Sequence, residues 1–260
     1  MNTDDKQKWI PNGYRALALA FTIAGMYLSF VILGVAELHP LYFLNQKYQI
    51  GDIIWATITM WLCTGLFINA HDAMHGLILP KNPRINALVG QICLWLYAGL
   101  SYKKLRTGHI LHHEHPSTAD DPDYWPSVFG PVGWYFQFMW RYLSPTPIIL
   151  VAGTYHSLVH VCGISSPRLI AMWIVPQVLS SIQLFYFGTY LPHRPGRPFE
   201  GSGIYKARSN NYPAWLSLLT CYHFGYHYTH HYAPWVPWWR LPKYRHEQMK
   251  SATIQGSSSS

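Results

Sequence analysis

Residues Ile50-Gly-Asp-Ile-Ile-Trp-Ala-Thr-Ile-Thr-Met-Trp-Leu-Cys-Thr-Gly-Leu-Phe-Ile-Asn-Ala70 run directly into His71-Asp-Ala-Met-His75. The first part is apolar for about the 20 residues that a helix needs to cross a bilayer, and Asp52 near its start is its one charge. The second part places two imidazoles four residues apart, on one face of a helix. The rest of the chain is read outward from this span and the metal-ligand pair at its end.

Three further stretches read as spans: Tyr14 to Glu37, a short one from Pro147 to Gly163, and Leu169 to Leu191. The first lacks the short core and small-residue cleavage site of a signal peptide, so it is expected to be retained. Pro176 is expected to kink the last, and Gly163-Ile-Ser-Ser-Pro167 makes the last two a helical hairpin. Ile85 to Tyr102 is also apolar. Counting it as a crossing would put His71 and His75 on the opposite side from His109, His112 and His113, so it is predicted to re-enter or to lie along the interface. Four spans put both termini on one side, and of the 19 Lys and Arg only Lys47 and Arg168 fall on the other. The positive-inside rule makes the common side cytoplasmic. The sequence thus predicts an all-α integral membrane protein of four transmembrane helices, multi-pass in a bacterial inner or thylakoid-type membrane. A cytoplasmic His-rich cap would complete a single domain over 1–250, followed by a flexible tail at 251–260.

Composition agrees. The 260 residues are 50% hydrophobic, 16% aromatic and 12% charged, against about 25% charged in a soluble domain. Both a soluble globular protein and a disordered one are excluded on that ground. The net charge of +8 is accounted for by the topology, and no nucleic acid partner is expected. Only eleven residues are acidic, and no Glu-x-x-His occurs, which excludes the carboxylate-bridged di-iron bundles. There is no His-Glu-x-x-His, P-loop or Gly-x-Gly-x-x-Gly. Cys63, Cys93, Cys162 and Cys221 are isolated and read as small buried hydrophobes. Trp235, Trp238 and Trp239, among prolines, read either as an interfacial belt or as packing within the cap. No internal repeat is visible, which weakens transporters built from duplicated halves.

Fifteen histidines outnumber the acids, and they carry the chemistry. His71 and His75 form one cluster, His109, His112 and His113 a second, and His227, His230 and His231 a third with the same i, i+3, i+4 spacing. His193 falls where the last span leaves the membrane. These nine are too many for one first-row ion but suit two metals with four or five ligands each, leaving positions for oxygen. Imidazole suits iron, zinc, copper or nickel, and redox chemistry on a membrane-fed substrate favours iron. His223, four residues before His227, reads as a further ligand or a supporting donor, and His115 as outer support. His156 and His160 read as hydrogen-bonded core histidines, while His39 and His246 lie too far away to contribute. Metal-bound imidazoles usually pass their other N–H to a carboxylate or carbonyl. Asp72 and Glu114 adjoin the clusters, and Asp120 and Asp121, with Asp123 beyond, are the candidates for that role; a solvated turn before Pro122 is the alternative.

The three His clusters resemble those of the membrane fatty-acid desaturase and hydroxylase superfamily. Five longer strings narrow the resemblance: His71-Asp-Ala-Met-His-Gly76, Leu94-Trp-Leu-Tyr-Ala-Gly99, Asp120-Asp-Pro-Asp123, Phe187-Gly-Thr-Tyr-Leu-Pro-His-Arg-Pro-Gly196 and Pro237-Trp-Trp-Arg-Leu-Pro242. These are similar to the bacterial β-carotene ketolase family, from about the second span to Pro242. The resemblance implies a cytoplasmic di-iron site with O2 as co-substrate and a ferredoxin-type electron donor. It implies oxidation of ring carbon 4 of β-carotene, with zeaxanthin as a further substrate, by two hydroxylations and loss of water. Carried over by motif, the ligands would be His71, His75, His109, His112, His113, His193, His227, His230 and His231. In one place the chain departs from the pattern: Thr229 stands where an acidic residue often precedes the final His pair. Alternatives on the same scaffold are carotenoid hydroxylation and lipid desaturation. From other classes, a non-catalytic metal carrier and a haem-binding membrane protein remain as rivals.

Overall fold

The computed structural model describes residues 3–38, 50–126 and 130–257; His39 and Lys47 lie outside these. Among the described residues all regular structure is helical. Three helices are long and apolar enough to cross a membrane: α2 (Tyr14–Val35), α3 (Ile50–Met74) and α8 (Ser166–His193). The short α1 (Thr3–Gln7) precedes them. α3 is the hub, packed against α2, α8 and the helix that follows it. It continues past Ala70 through the first His cluster, so His71 is carried on the same rigid rod as the span.

That next helix, α4 (Pro83–Ala98), covers most of the segment predicted to re-enter or to lie along the interface. Asn82 starts it, its side chain accepting from Ile85 N at 3.1 Å, with Pro83 in the first turn. Gly99 ends it in the left-handed region, at φ 70°. The chain then bends by 103° into α5 (Tyr102–Glu114). α4 descends antiparallel to α3 as far as Phe67, whose ring meets Tyr97 at 5.5 Å, and α5 carries His109, His112 and His113 back to His71. Three bonds lock the return: Gln91 takes Tyr102 N at 3.0 Å, donates to Leu100 O at 2.8 Å, and Tyr102 Oη donates to Ala73 O at 2.8 Å. Asn86 fastens the loop after His75 with four bonds, accepting from Ile78 N and Leu79 N and donating to Leu79 O and Asn82 O.

After α6 (Gly130–Tyr142) comes α7 (Pro145–His160), the predicted third span. At 16 residues it covers about 24 Å, short of the roughly 30 Å hydrocarbon core. It starts inside the protein, with Pro147 against Gly99 at the tip of α4, so it does not need a full crossing length. Pro147 is its one buried residue. His156 and His160 accordingly are not core residues: both are exposed, their rings parallel 5.5 Å apart. Cys162 beyond them is exposed too, while the other three cysteines are buried.

α8 holds Pro176 without breaking. The preceding turn, Ile170–Ile174, and a second stretch, Phe185–Tyr190, are π-helical, and the wider turn accommodates the proline that was expected to kink it. At the far end of the spans, Arg168 Nη1 lies 2.8 Å from Asp52 and its Nε donates to Gly34 O at 2.7 Å, with Glu37 at 4.0 Å. One guanidinium thus joins α2, α3 and α8, and a cation against the charge rule has its counter-ions beside it.

The cap is completed by α9 (Ala214–Cys221), α10 (His227–Tyr232) and α11 (Leu241–Ser257). α11 is helical through Ser257, so most of the tail expected to be flexible is regular backbone. The tryptophans pack within the cap: Trp238 meets Tyr222 edge-on at 5.1 Å, and Lys6 sits over Trp235.

Candidate metal centre

Nine imidazoles meet where α3, α5, α8 and α10 converge, in two groups. His71, His75, His109, His113 and His230 form one; His112, His193, His227 and His231 form the other. Within each group the candidate ligand atoms lie within 4.8 Å of one another. Both draw on α5 and α10, because His112 and His113, about 100° apart around one helix, fall in different groups, as do His230 and His231. The groups touch where His113 and His231 stack at 4.2 Å.

Nitrogens face nitrogens throughout. Nε2 atoms approach to 2.7 Å between His75 and His109, 2.9 Å between His113 and His230, and 3.1 Å from His231 to both His112 and His227. His71 Nε2 and His193 Nε2 are buried without any partner. An unpaired buried polar atom is costly, and a cation at the centre of each group would satisfy them all. Burial and the neighbouring imidazoles hold His109, His113, His227, His230 and His231 well below the usual histidine range. Burial and Arg106 push His75 down to about 3. Neutral imidazole is the metal-binding form, so the donor set fits two ions of the imidazole-preferring kind.

His112 is the exception. Burial alone would lower it, but Asp121 outweighs that and holds its pKa up. Both Asp121 oxygens lie 2.9 Å from His112 Nδ1, and the carboxylate is fixed by Ser117 N and Asp123 N at 2.8 Å each. The N–H is therefore on Nδ1, which bares Nε2 toward the group. Ser117 also sets His193: its Oγ is 2.8 Å from Nδ1 and donates to Lys206 O at 3.3 Å. Nδ1–H is then the donor, and Nε2 is bare. Sequence reading did not single out Ser117; its place between His115 and Asp121 was the available signal.

Of the paired candidates, Asp120 is exposed and makes no contact with a histidine, whereas Asp121 is buried against His112. The difference is one of side: the turn from Thr118 to Asp121 directs one carboxylate inward and its neighbour to solvent. Asp72, at 3.6 Å from His71, also accepts from Trp238 N at 3.1 Å, tying the C-terminal aromatic segment to α3. His223 is buried but outside both groups, stacked on Tyr226 at 5.8 Å. His115 is exposed. Thr229 is buried in α10, its backbone N–H donating to Ser209 Oγ at 3.4 Å.

The sequence model of the fatty acid desaturase family matches residues 52–152 and 143–254, which hold all nine histidines. The chain belongs to the fatty acid desaturase family. Within it, the chain is 44% identical over 219 residues to a beta-carotene ketolase of a Paracoccus strain, covering 80% of this chain and 86% of that one. A second Paracoccus beta-carotene ketolase is 48% identical over 186 residues, 71% of this chain and 75% of the relative. A zeaxanthin 4-ketolase of Chlamydomonas reinhardtii is 32% identical over 252 residues, 92% of this chain and 55% of the relative. These relatives place this desaturase-family chain on the ketolase branch.

Beneath the histidines of this desaturase-family fold is a narrow cavity of about 80 Å³. His71, His109, His112 and His227 form its roof, and Phe67, Tyr97, Phe138 and Phe224 are among its aromatic walls. Gly188 also lines it, and a Cβ there would lie 2.1 Å from the Phe224 ring. Glycine lets Phe224 lie flat on α8 and reach within 4.9 Å of the His71 ring. Asp123, half-buried and accepting from Tyr142 Oη, is the one carboxylate on the wall, and its desolvation there pushes its pKa up.

Proposed function

We propose that this protein oxidises carbon 4 of the β-ionone ring of β-carotene to a ketone, giving echinenone and then canthaxanthin, with two iron ions held by the nine histidines. The observation that carries the reading is the position of both imidazole groups on the roof of an apolar, aromatic cavity let into the membrane helices. Iron bound there would supply the O2 activation that an unactivated ring methylene demands.

The chain's own residues hold, orient and exclude. Asp121 and Ser117 fix the tautomers of His112 and His193, so that each offers a lone pair inward. Phe67, Tyr97, Phe138, Leu184 and Phe224 surround an apolar ring and keep water from it. A carotene has no polar handle, so shape alone must present one carbon to the roof. Each hydroxylation takes one O2, two electrons and two protons and releases one water. After the second, the geminal diol at carbon 4 loses a further water to leave the ketone.

The electrons would come from a ferredoxin-type donor on the cytoplasmic side; the Lys and Arg asymmetry supports a cytoplasmic cap and termini. The name of the Chlamydomonas relative supports hydroxylated carotenoids such as zeaxanthin as further substrates. Expression in bacteria that accumulate β-carotene tests the reading. Pigments that gain one oxygen and lose two hydrogens per ring are expected by chromatography and mass spectrometry. Hydroxylated carotene alone would move the protein to the hydroxylases. Unchanged carotene, with iron-loaded protein and a competent donor present, would end the carotenoid reading.

A further inference from the structure

The cavity under the histidines is far too small for a whole carotenoid, so most of a bound substrate must lie elsewhere. A groove of about 1090 Å³ lies directly below it, between α2, the tip of α4, α7 and the lower half of α8. Neighbouring residues line the two spaces. Tyr97 and Leu100 line the cavity while Leu96 and Gly99 line the groove; on α8, Ser181 faces the cavity and Gln177, one turn below, the groove. Gln177 at this boundary is held only by long contacts, 3.3 Å to Tyr27 Oη and 3.5 Å to Leu96 O.

We infer that the groove between α2 and α7 binds the distal half of the carotenoid, so that one C40 molecule lies across the membrane with its reacting ring under the histidines. The inference rests on the ketolase reading. Three observations carry it. The groove abuts the site cavity. Its lining is apolar over most of its length, through Leu28, Val31, Leu150, Val151, Leu158 and Trp173. And the length matches: from Gly188 at the cavity to Ser165 at the groove's far end, α8 and its start rise on the order of 30 Å. An all-trans C40 polyene is about as long as the hydrocarbon core is thick, roughly 30 Å.

The arrangement has a consequence for the reaction. The two rings are about a membrane thickness apart and only one can sit under the histidines, so the second ring reacts only after release and rebinding end for end. Monoketone must therefore leave the protein as free intermediate.

A length test separates this inference from the reading it rests on. The double substitution Thr154→Trp/Leu158→Trp fills the groove from α7, a helix with a single buried residue, and Ile149→Trp, on an exposed position outside the groove, is the control. Full-length protein in membranes is given β-carotene or a shortened apocarotenoid that keeps one ring and part of the polyene. The double variant is expected to lose about tenfold or more of its turnover of β-carotene and to copurify with less of it. It should oxidise the short substrate as the unaltered protein does, and the control should match the unaltered protein on both. Equal turnover of β-carotene by the double variant, or equal loss on both substrates, overturns the inference while leaving the ketolase reading intact. Failure of the unaltered protein on both substrates overturns the two together.

Discussion

In the four-histidine group, His112 and His193 each have the outer nitrogen tied to the protein, one to the Asp121 carboxylate and the other to Ser117 Oγ. The five-histidine group is assembled otherwise. Asp72 stands 3.6 Å from His71, and among the described residues His75, His109, His113 and His230 touch no carboxylate or hydroxyl. One group is short of ligands and braced; the other has a ligand in hand and is not. The contrast teaches that a metal position can be secured by pre-orienting few donors or by supplying more of them, and that the two solutions should fail differently.

The largest difference is expected from removing one ligand on each side. His193→Ala leaves three donors and should cost its group most of the metal it holds, with activity down by about a hundredfold or more. His230→Ala leaves four and should keep more metal and more activity; equal metal loss in the two variants, by elemental analysis, would break the comparison. Next come the braces. Asp121→Ala should weaken metal retention by about 10- to 100-fold and Ser117→Ala by about 10-fold, read as resistance to a chelator. Asp120→Asn, one residue from the brace, should change nothing beyond about 0.5 kcal/mol in stability.

A substitution in the cavity wall sharpens the contrast from the substrate side. Gly188→Ala puts a methyl where the Phe224 ring lies and should displace that ring into the cavity. Turnover should fall about tenfold or more with metal content unchanged, since Phe224 is not a donor. Metal loss in this variant would show that Phe224 positions His71 as well as the substrate.

The smallest effect concerns the tenth histidine of the region. Burial pushes His223 down to about 4 from an ordinary value near 6.5. The unfolded chain therefore takes up this proton first, and the stability His223 contributes is complete above about pH 6.5 and lost as pH falls toward 4. His223→Gln should flatten the acid limb of thermal stability over that window while leaving metal content unchanged. A parallel fall in metal would place it among the ligands.

Much of this was legible in the sequence, because hydropathy and helical spacing are local. Tyr14, Ile50 and the region around Leu169 begin spans where apolar runs begin, and the need for His109 to return to His71 restricted the segment of α4 to re-entering or lying along the interface. The sharing of His112 and His113, and of His230 and His231, between two groups was not legible. It depends on the angle at which α5 and α10 cross, which no spacing within either helix encodes. The shortness of α7 was legible but its cause was not: Pro147 packs against Gly99, so the helix starts already inside the protein. Asp120 and Asp121 are chemically identical neighbours, and only the turn geometry separates them. Ser117 stood out only by its place between His115 and Asp121, and its partner, His193, lies far along the chain.

The helices that carry the first His pair and the last are made far apart in time. His71 leaves the ribosome early, and neither group has its full donor set until α10 emerges. Until then the early imidazoles are partial chelates on a half-inserted chain, able to hold stray divalent ions but not to enclose them. The order of the chain thus leaves either group unable to enclose an ion before α10 packs against α5.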